Sequence, residues 1–258
     1  MDSNLLFNVA LLANLVAGVS FMIRVARPRK QAGWFAEGAM AVGWLLTTGA
    51  LIARGLAAGH VPLANTYETL MFLAWLVPIC YLCVRKQDSQ YLIATGTAFL
   101  TILVIACSSL VSDVPRPLVP ALRSNWLTIH VLFMFISYSA FSISFITALL
   151  YLILGDRKST AFERITYQLI VVGFPFLTLG IFTGAVWANR AWGTYWSWDP
   201  KETWSLITWL IYAIYLHIRR VRGWAGAKSA WIVMLAFAIV LFTYFGVNYL
   251  LTGLHSYK

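Results

Sequence analysis

The residues of this sequence that could do chemistry are four histidines and an unusual concentration of indole rings. His60, His130, His217 and His255 are the only imidazoles, and a neutral ring nitrogen is a ligand for iron. Trp187, Trp192, Trp196, Trp198, Trp204 and Trp209 are half of the twelve tryptophans and fall within 23 residues. Indole faces stack well on flat π-systems. At the centre of the run, WGTYWSWDPKETW joins four of these rings to an acid, a proline, a base and a second acid. Two readings are open: an aromatic belt at the headgroup level of a membrane, or a platform for a large flat aromatic ligand. A belt places about one or two tryptophans at a helix end. The five between Trp187 and Trp204, with Gly193 breaking any helix, exceed that.

The elements that position these residues follow from composition. Of 258 residues, 60% are hydrophobic and 11% charged, with a mean hydropathy of +0.76. Soluble domains carry about 25% charged residues, so the bilayer is the expected solvent. At roughly 20 apolar residues per span, the runs near 4–23, 34–56, 67–84, 91–111, 129–154, 166–186, 203–221 and 230–250 predict about eight transmembrane helices. The expected fold is an all-α integral membrane protein, a single polytopic domain over 1–258. The first apolar run starts at Leu5, preceded by Asp2 and not by a base. No cleavable signal peptide is expected.

The net charge of +10 does not form a stripe for nucleic acid; the bases punctuate the apolar runs. RVARPRK, RKQDSQ, GDRKSTAFER and RRVRGWAGAK hold thirteen of the nineteen Lys and Arg residues. The positive-inside rule puts these loops in the cytoplasm or its equivalent, and both termini outside. The outer face then carries GHVPLANTYE, SDVPRPLVPALRSNW, the tryptophan-rich loop between helices 6 and 7, and the C-terminal GLHSYK.

Within that frame Asp199 reads as a helix N-cap, Pro200 as its first residue and Glu202 as the partner closing a capping box. His130 falls at the outer mouth of the fifth helix and His255 just outside the eighth. Two imidazoles with a flat aromatic surface between them would make a bis-His haem site. His217 lies 13 residues after Trp204, about 20 Å down the seventh helix. A titratable group inside the membrane is costly and marks a functional candidate. His60, in an outer loop, is the least constrained. Arg190 and Lys201 flank the tryptophans and are placed to pair with acidic groups on a ligand rim, and Glu68 reads as an anchor for the third helix. Gly180-x-x-x-Gly184 suits close helix packing. Cys80, Cys83 and Cys107 read as small apolar filler in helices, and no closely spaced ligand set for zinc is present.

WGTYWSWDPKETWSLITWLIYAIYLH, HVPLANTYETL and GVNYLLTGLHSY together resemble the WWD haem-handling family, in its CcsA branch of system II cytochrome c assembly proteins. The resemblance runs from about His60 to Tyr257. The WDPKETW continuation and the terminal His255 set it apart from the other WWD branches. It implies haem b as substrate, with His130 and His255 as axial ligands. Trp192, Trp196, Trp198, Asp199 and Trp204, in a segment of about 187–209, would cradle the ring. His217 would be an intramembrane haem ligand, its second histidine coming from a CcsB-type partner subunit that this chain does not include. The implied function is the membrane subunit of a cytochrome c synthase that presents haem at the outer face for thioether attachment to the C-x-x-C-H motif of apocytochrome c. An exporter or chaperone that delivers haem without attaching it uses the same residues and stays open, as does a non-haem scaffold whose tryptophans are only interfacial. The expected membrane is a bacterial plasma membrane, with the thylakoid membrane as the alternative. Its lipid, the partner subunit and apocytochrome c are the expected partners, with no nucleic acid among them.

Overall fold

The structure is a computed structural model that describes residues 3–27, 30–85, 90–114, 118–155 and 159–253. Each of the eight apolar runs is helical, and there is no strand among the described residues. The chain divides into two compact units, Met1–Pro117 and Leu118–Lys258.

The first unit holds α1 (Ser3–Ala26), α2 (Lys30–Ala58), α3 (Thr66–Leu82) and α4 (Gln90–Ser108). Small residues let these helices approach closely, which is the main route to association when lipid is as apolar as the core. Ala10, Ala17, Ala36, Ala50, Ala94 and Ala98 are fully buried. A Cβ on Gly43 of α2 would fall 2.6 Å from Asn14 Nδ2 of α1. Asn65 caps α3 by accepting from Glu68 N at 2.9 Å, and Glu68 Oε2 accepts from Ala64 N at 2.9 Å. The same carboxylate takes Arg54 Nε of α2 at 3.2 Å, both side chains being buried. Glu68 is thus the anchor of the third helix, and Arg54 is the charge it neutralises.

The second unit holds α5 (Asn125–Leu154), α6 (Ser159–Trp192), α7 (Pro200–Val221), α8 (Ala227–Leu241), a π-turn over Phe242–Gly246 and α9 (Val247–Leu250). Along α6, Gly173, Gly180 and Gly184 form the seam against α5. Added Cβ atoms would fall 2.8 Å from Phe141 Cε1 at Gly173 and 2.6 Å from His130 Nδ1 at Gly184. The Gly180-x-x-x-Gly184 spacing therefore does mark a close helix pair. Hydroxyls lace the interior: Thr147 with Thr166 at 2.7 Å and Thr208 with Thr243 at 3.1 Å. Phe141 and Tyr212 stack at 3.6 Å.

Among the described residues, six helices are long and apolar enough to cross a membrane: α1, α2, α4, α5, α6 and the rod Ala227–Leu250. The protein is an all-α integral membrane protein. The apolar helix α3 is shorter, at 17 residues. The 22-residue α7 falls outside the six because it begins with Lys201 and Glu202, ends with Arg219 and Arg220, and is rich in Trp, Tyr and Thr between.

Candidate functional site

The loop between α6 and α7 is organised by one carboxylate. α6 ends at Trp192, and Gly193 turns the chain with φ of +83°. Asp199 then caps α7 through a capping box closed by Glu202, with Pro200 as the first helical residue. Glu202 Oε2 accepts from Ser197 N at 2.8 Å, from Asp199 N at 3.2 Å and from Ser197 Oγ at 3.3 Å. Both acids are buried. Buried carboxylates survive when their lone pairs are filled this way, and filling them draws the backbone of 197–199 onto the helix start.

That drawing-in has a consequence at Trp198. Its φ is +59°, a region that bulky L-residues rarely occupy. Strain of this kind, of order 1–3 kcal/mol, persists only where the surroundings enforce it. The indole is 68% exposed and meets Trp196 edge to face at 5.7 Å. The fold thus presents this indole outward from a left-handed backbone.

The tryptophans fall into four settings. Trp187 is buried, donates Nε1–H to Ala121 O at 2.9 Å and meets Trp192 at 4.8 Å. Trp196 and Trp198 lie on the loop. Trp204, in the second turn of α7, packs on Phe242 at 4.3 Å, and its carbonyl accepts from Thr243 Oγ1 at 3.3 Å. Trp209 is a packing residue, its Nε1–H donating to Thr178 Oγ1 at 2.9 Å.

His130 joins the first of these settings. Its ring lies nearly parallel to that of Trp187, at 6.4 Å and 14°. Nδ1 is 2.7 Å from Gly180 O. A carbonyl oxygen only accepts, so Nδ1 carries the proton and Nε2 carries the ring's lone pair. This arrangement, with one nitrogen fixed by a backbone carbonyl, is the usual support of a metal-binding imidazole.

The other histidines differ. His60, in the first unit, has the same tautomer through Nδ1 on Val61 O at 2.9 Å. His217 is exposed on α7, one turn before the helix ends at Val221, beside the bases Arg219 and Arg220. It lies near the helix end rather than at mid-span. His255 lies outside the described residues. The last described residue, Gly253, runs against the start of α7: a Cβ there would overlap Asp199 Oδ2 and stand 3.0 Å from Pro200 Cδ.

Lys201 Nζ donates to Asn248 Oδ1 of α9 at 2.8 Å, and the Arg190 guanidinium lies over the Trp126 ring at 5.6 Å. Both flanking bases thus have partners within the chain. Asn248 and Gly253 were missed in the sequence. The signal for Asn248 was a lone amide near the end of an apolar run.

Residues 63–255 match the family described as Cytochrome C assembly protein. A Cytochrome c biogenesis protein CcsA of Chlamydomonas reinhardtii is 44% identical over 239 residues, covering 84% of this chain and 67% of that protein. Proteins of the same name from Guillardia theta and Synechocystis sp. are 38% and 35% identical, each over 97% of this chain and over 94% and 96% of their own lengths. The fold is similar to that of Cytochrome c Heme Lyase CcmF, with a TM-score of 0.76 at 19% identity. That match takes in 95% of this chain and 47% of the lyase, so the chain spans about half of that protein's length.

Proposed function

The chain belongs to the cytochrome c assembly protein family, in its CcsA branch, and we propose that it is the membrane subunit of a cytochrome c synthase. It acts in cytochrome c biogenesis. Haem b is its substrate, bound at the outer face between His130 and His255 and presented to apocytochrome c.

One observation carries this reading. His130 donates Nδ1–H to Gly180 O, which leaves Nε2 as the lone-pair nitrogen, and its ring lies parallel to Trp187. The carbonyl-fixed tautomer alone does not single out a ligand, since His60 has it too; the parallel Trp187 ring beside His130 is what sets this imidazole apart. His255 follows two residues after Gly253, a covalent reach of about 7 Å, and Gly253 abuts Asp199 at the edge of the tryptophan loop. The exposed Trp198 and its neighbour Trp196 supply indole faces for a flat ring.

In the reaction, each cysteine thiol of a C-x-x-C-H motif adds across one haem vinyl group. A carbon–sulfur bond forms, the thiol proton passes to the other vinyl carbon, and nothing leaves. The contribution of this chain is orientation: two imidazoles fix the substrate while the thiols approach from the partner. The exposed His217 would be completed by a histidine of a CcsB-type subunit, giving a second haem position in the membrane. The membrane assigned is a bacterial plasma membrane, with the thylakoid as the alternative.

The test is co-expression with the partner subunit and an apocytochrome, reading covalent haem after acid–acetone extraction. Wild type yields acid-stable haem on the cytochrome, and His130→Ala does not. Haem that reaches the outer site of wild type yet never becomes acid-stable would contradict synthase activity and support delivery alone.

A further inference from the structure

Contacts in three places tie the end of the chain to the first half of α7. Lys201 Nζ reaches Asn248 Oδ1 at 2.8 Å. Gly253 lies against the Asp199 carboxylate and Pro200 Cδ. Trp204 packs on Phe242, with Thr208 on Thr243 beneath it. The first two sit beyond the π-turn Phe242–Gly246 and the third within it.

The π-turn is what allows both sets. In a regular α-helix residues five apart point about 140° away from each other, at 3.6 residues per turn. The wider i→i+5 turn brings them towards one face. Thr243 and Asn248 are five apart and both face α7, one on Thr208 and the other on Lys201. Gly246 permits the turn: a Cβ there would lie 2.5 Å from Phe242 Cδ2. A lysine at a membrane edge ordinarily extends its amine to water and lipid phosphate, so directing it onto an amide two helices along the chain requires a reason.

We infer that Lys201 and Asn248 form a positioning latch that seats the chain up to Gly253 on the start of α7, at the edge of the tryptophan loop, and thereby serves the outer site. This rests on the outer-haem reading given above. Lys201 is a positioning residue, not a ligand. It acts through the chain end, and Asp199 serves twice, as the cap of α7 and as the surface against which Gly253 is seated.

The test uses the full chain in detergent with four variants: Lys201→Met, Asn248→Leu, the two combined, and Asn248→Asp, which keeps an acceptor of the same size. The first readout, on protein without haem, is hydrogen exchange of the backbone amides of 249–253. Lys201→Met and Asn248→Leu each exchange about five- to tenfold faster, the scale of one lost hydrogen bond. The double variant is no faster than either single one, and Asn248→Asp exchanges as wild type does. The second readout is the absorption spectrum after haem loading. The two single variants lose the six-coordinate low-spin form, and added imidazole restores it.

Unchanged exchange in both single variants overturns the latch. Faster exchange with the wild-type low-spin spectrum overturns its role in placing the ligand. A wild-type protein that shows no low-spin form contradicts the outer-haem reading instead, and the exchange measurement still decides whether the latch exists.

Discussion

His130 Nδ1 lies 2.7 Å from the carbonyl oxygen of Gly180, one helix away, over the space that Gly184 leaves by having no Cβ. The two glycines thus do different things. Gly180 supplies the acceptor that fixes the tautomer. Gly184 supplies the room for the ring, so the close approach of α5 and α6 and the chemistry of the imidazole are one feature.

Gly184→Ala puts a methyl group 2.6 Å from His130 Nδ1 and must displace the ring. The expected result is a cost of about 1–3 kcal/mol from overpacking, together with loss of low-spin haem. Thermal unfolding and the absorption spectrum of the same preparation read both. Retention of the wild-type spectrum would separate the seam from the site.

Glu202→Ala removes the acceptor of Ser197 N and Asp199 N. Orphaned buried donors cost about 1–3 kcal/mol each, so the variant should unfold at lower temperature than Glu202→Gln, which keeps an oxygen at that position. The left-handed backbone at Trp198 should relax, and the change should appear as a shift in tryptophan fluorescence. Equal unfolding temperatures for the two variants would contradict the role given to the carboxylate.

Arg54→Met leaves the buried Glu68 carboxylate without its cation, and Arg54 is itself only 4% exposed. Breaking such a pair on one side costs about 3–5 kcal/mol, while replacing both partners by apolar residues is often nearly neutral. Arg54→Met combined with Glu68→Leu should therefore unfold at a higher temperature than Arg54→Met alone.

His217→Ala should leave low-spin haem intact when haem is added to purified protein, since His130 and His255 hold it. It should lower the haem acquired during expression with the partner subunit. Comparing haem per protein before and after loading tests this. Equal content in wild type and variant before loading would remove His217 from the haem route.

The helix starts were legible in the sequence because they depend on nearest neighbours. The Asp199–Pro200–Glu202 capping box appears as its spacing implies, and so does the Gly180–Gly184 seam. Which tryptophans share a setting was not legible. Trp204 packs on Phe242, 38 residues further along the chain, and no local pattern announces a contact between two helices. The partners of Arg190 and Lys201 were hidden for the same reason: Trp126 is 64 residues away in sequence from Arg190 and Asn248 is 47 from Lys201. An exposed base and a base held by a distant ring or amide look alike in one dimension.

The most direct test of the central claim is the reduced absorption spectrum of haem-loaded protein for wild type, His130→Ala, His255→Ala and the double variant. The account predicts a low-spin bis-imidazole spectrum in wild type. Each single variant should lose it and regain it on adding imidazole, and the double variant should hold no haem at the outer face. A spectrum unchanged in His130→Ala would contradict the account and move the haem to His217 or His60.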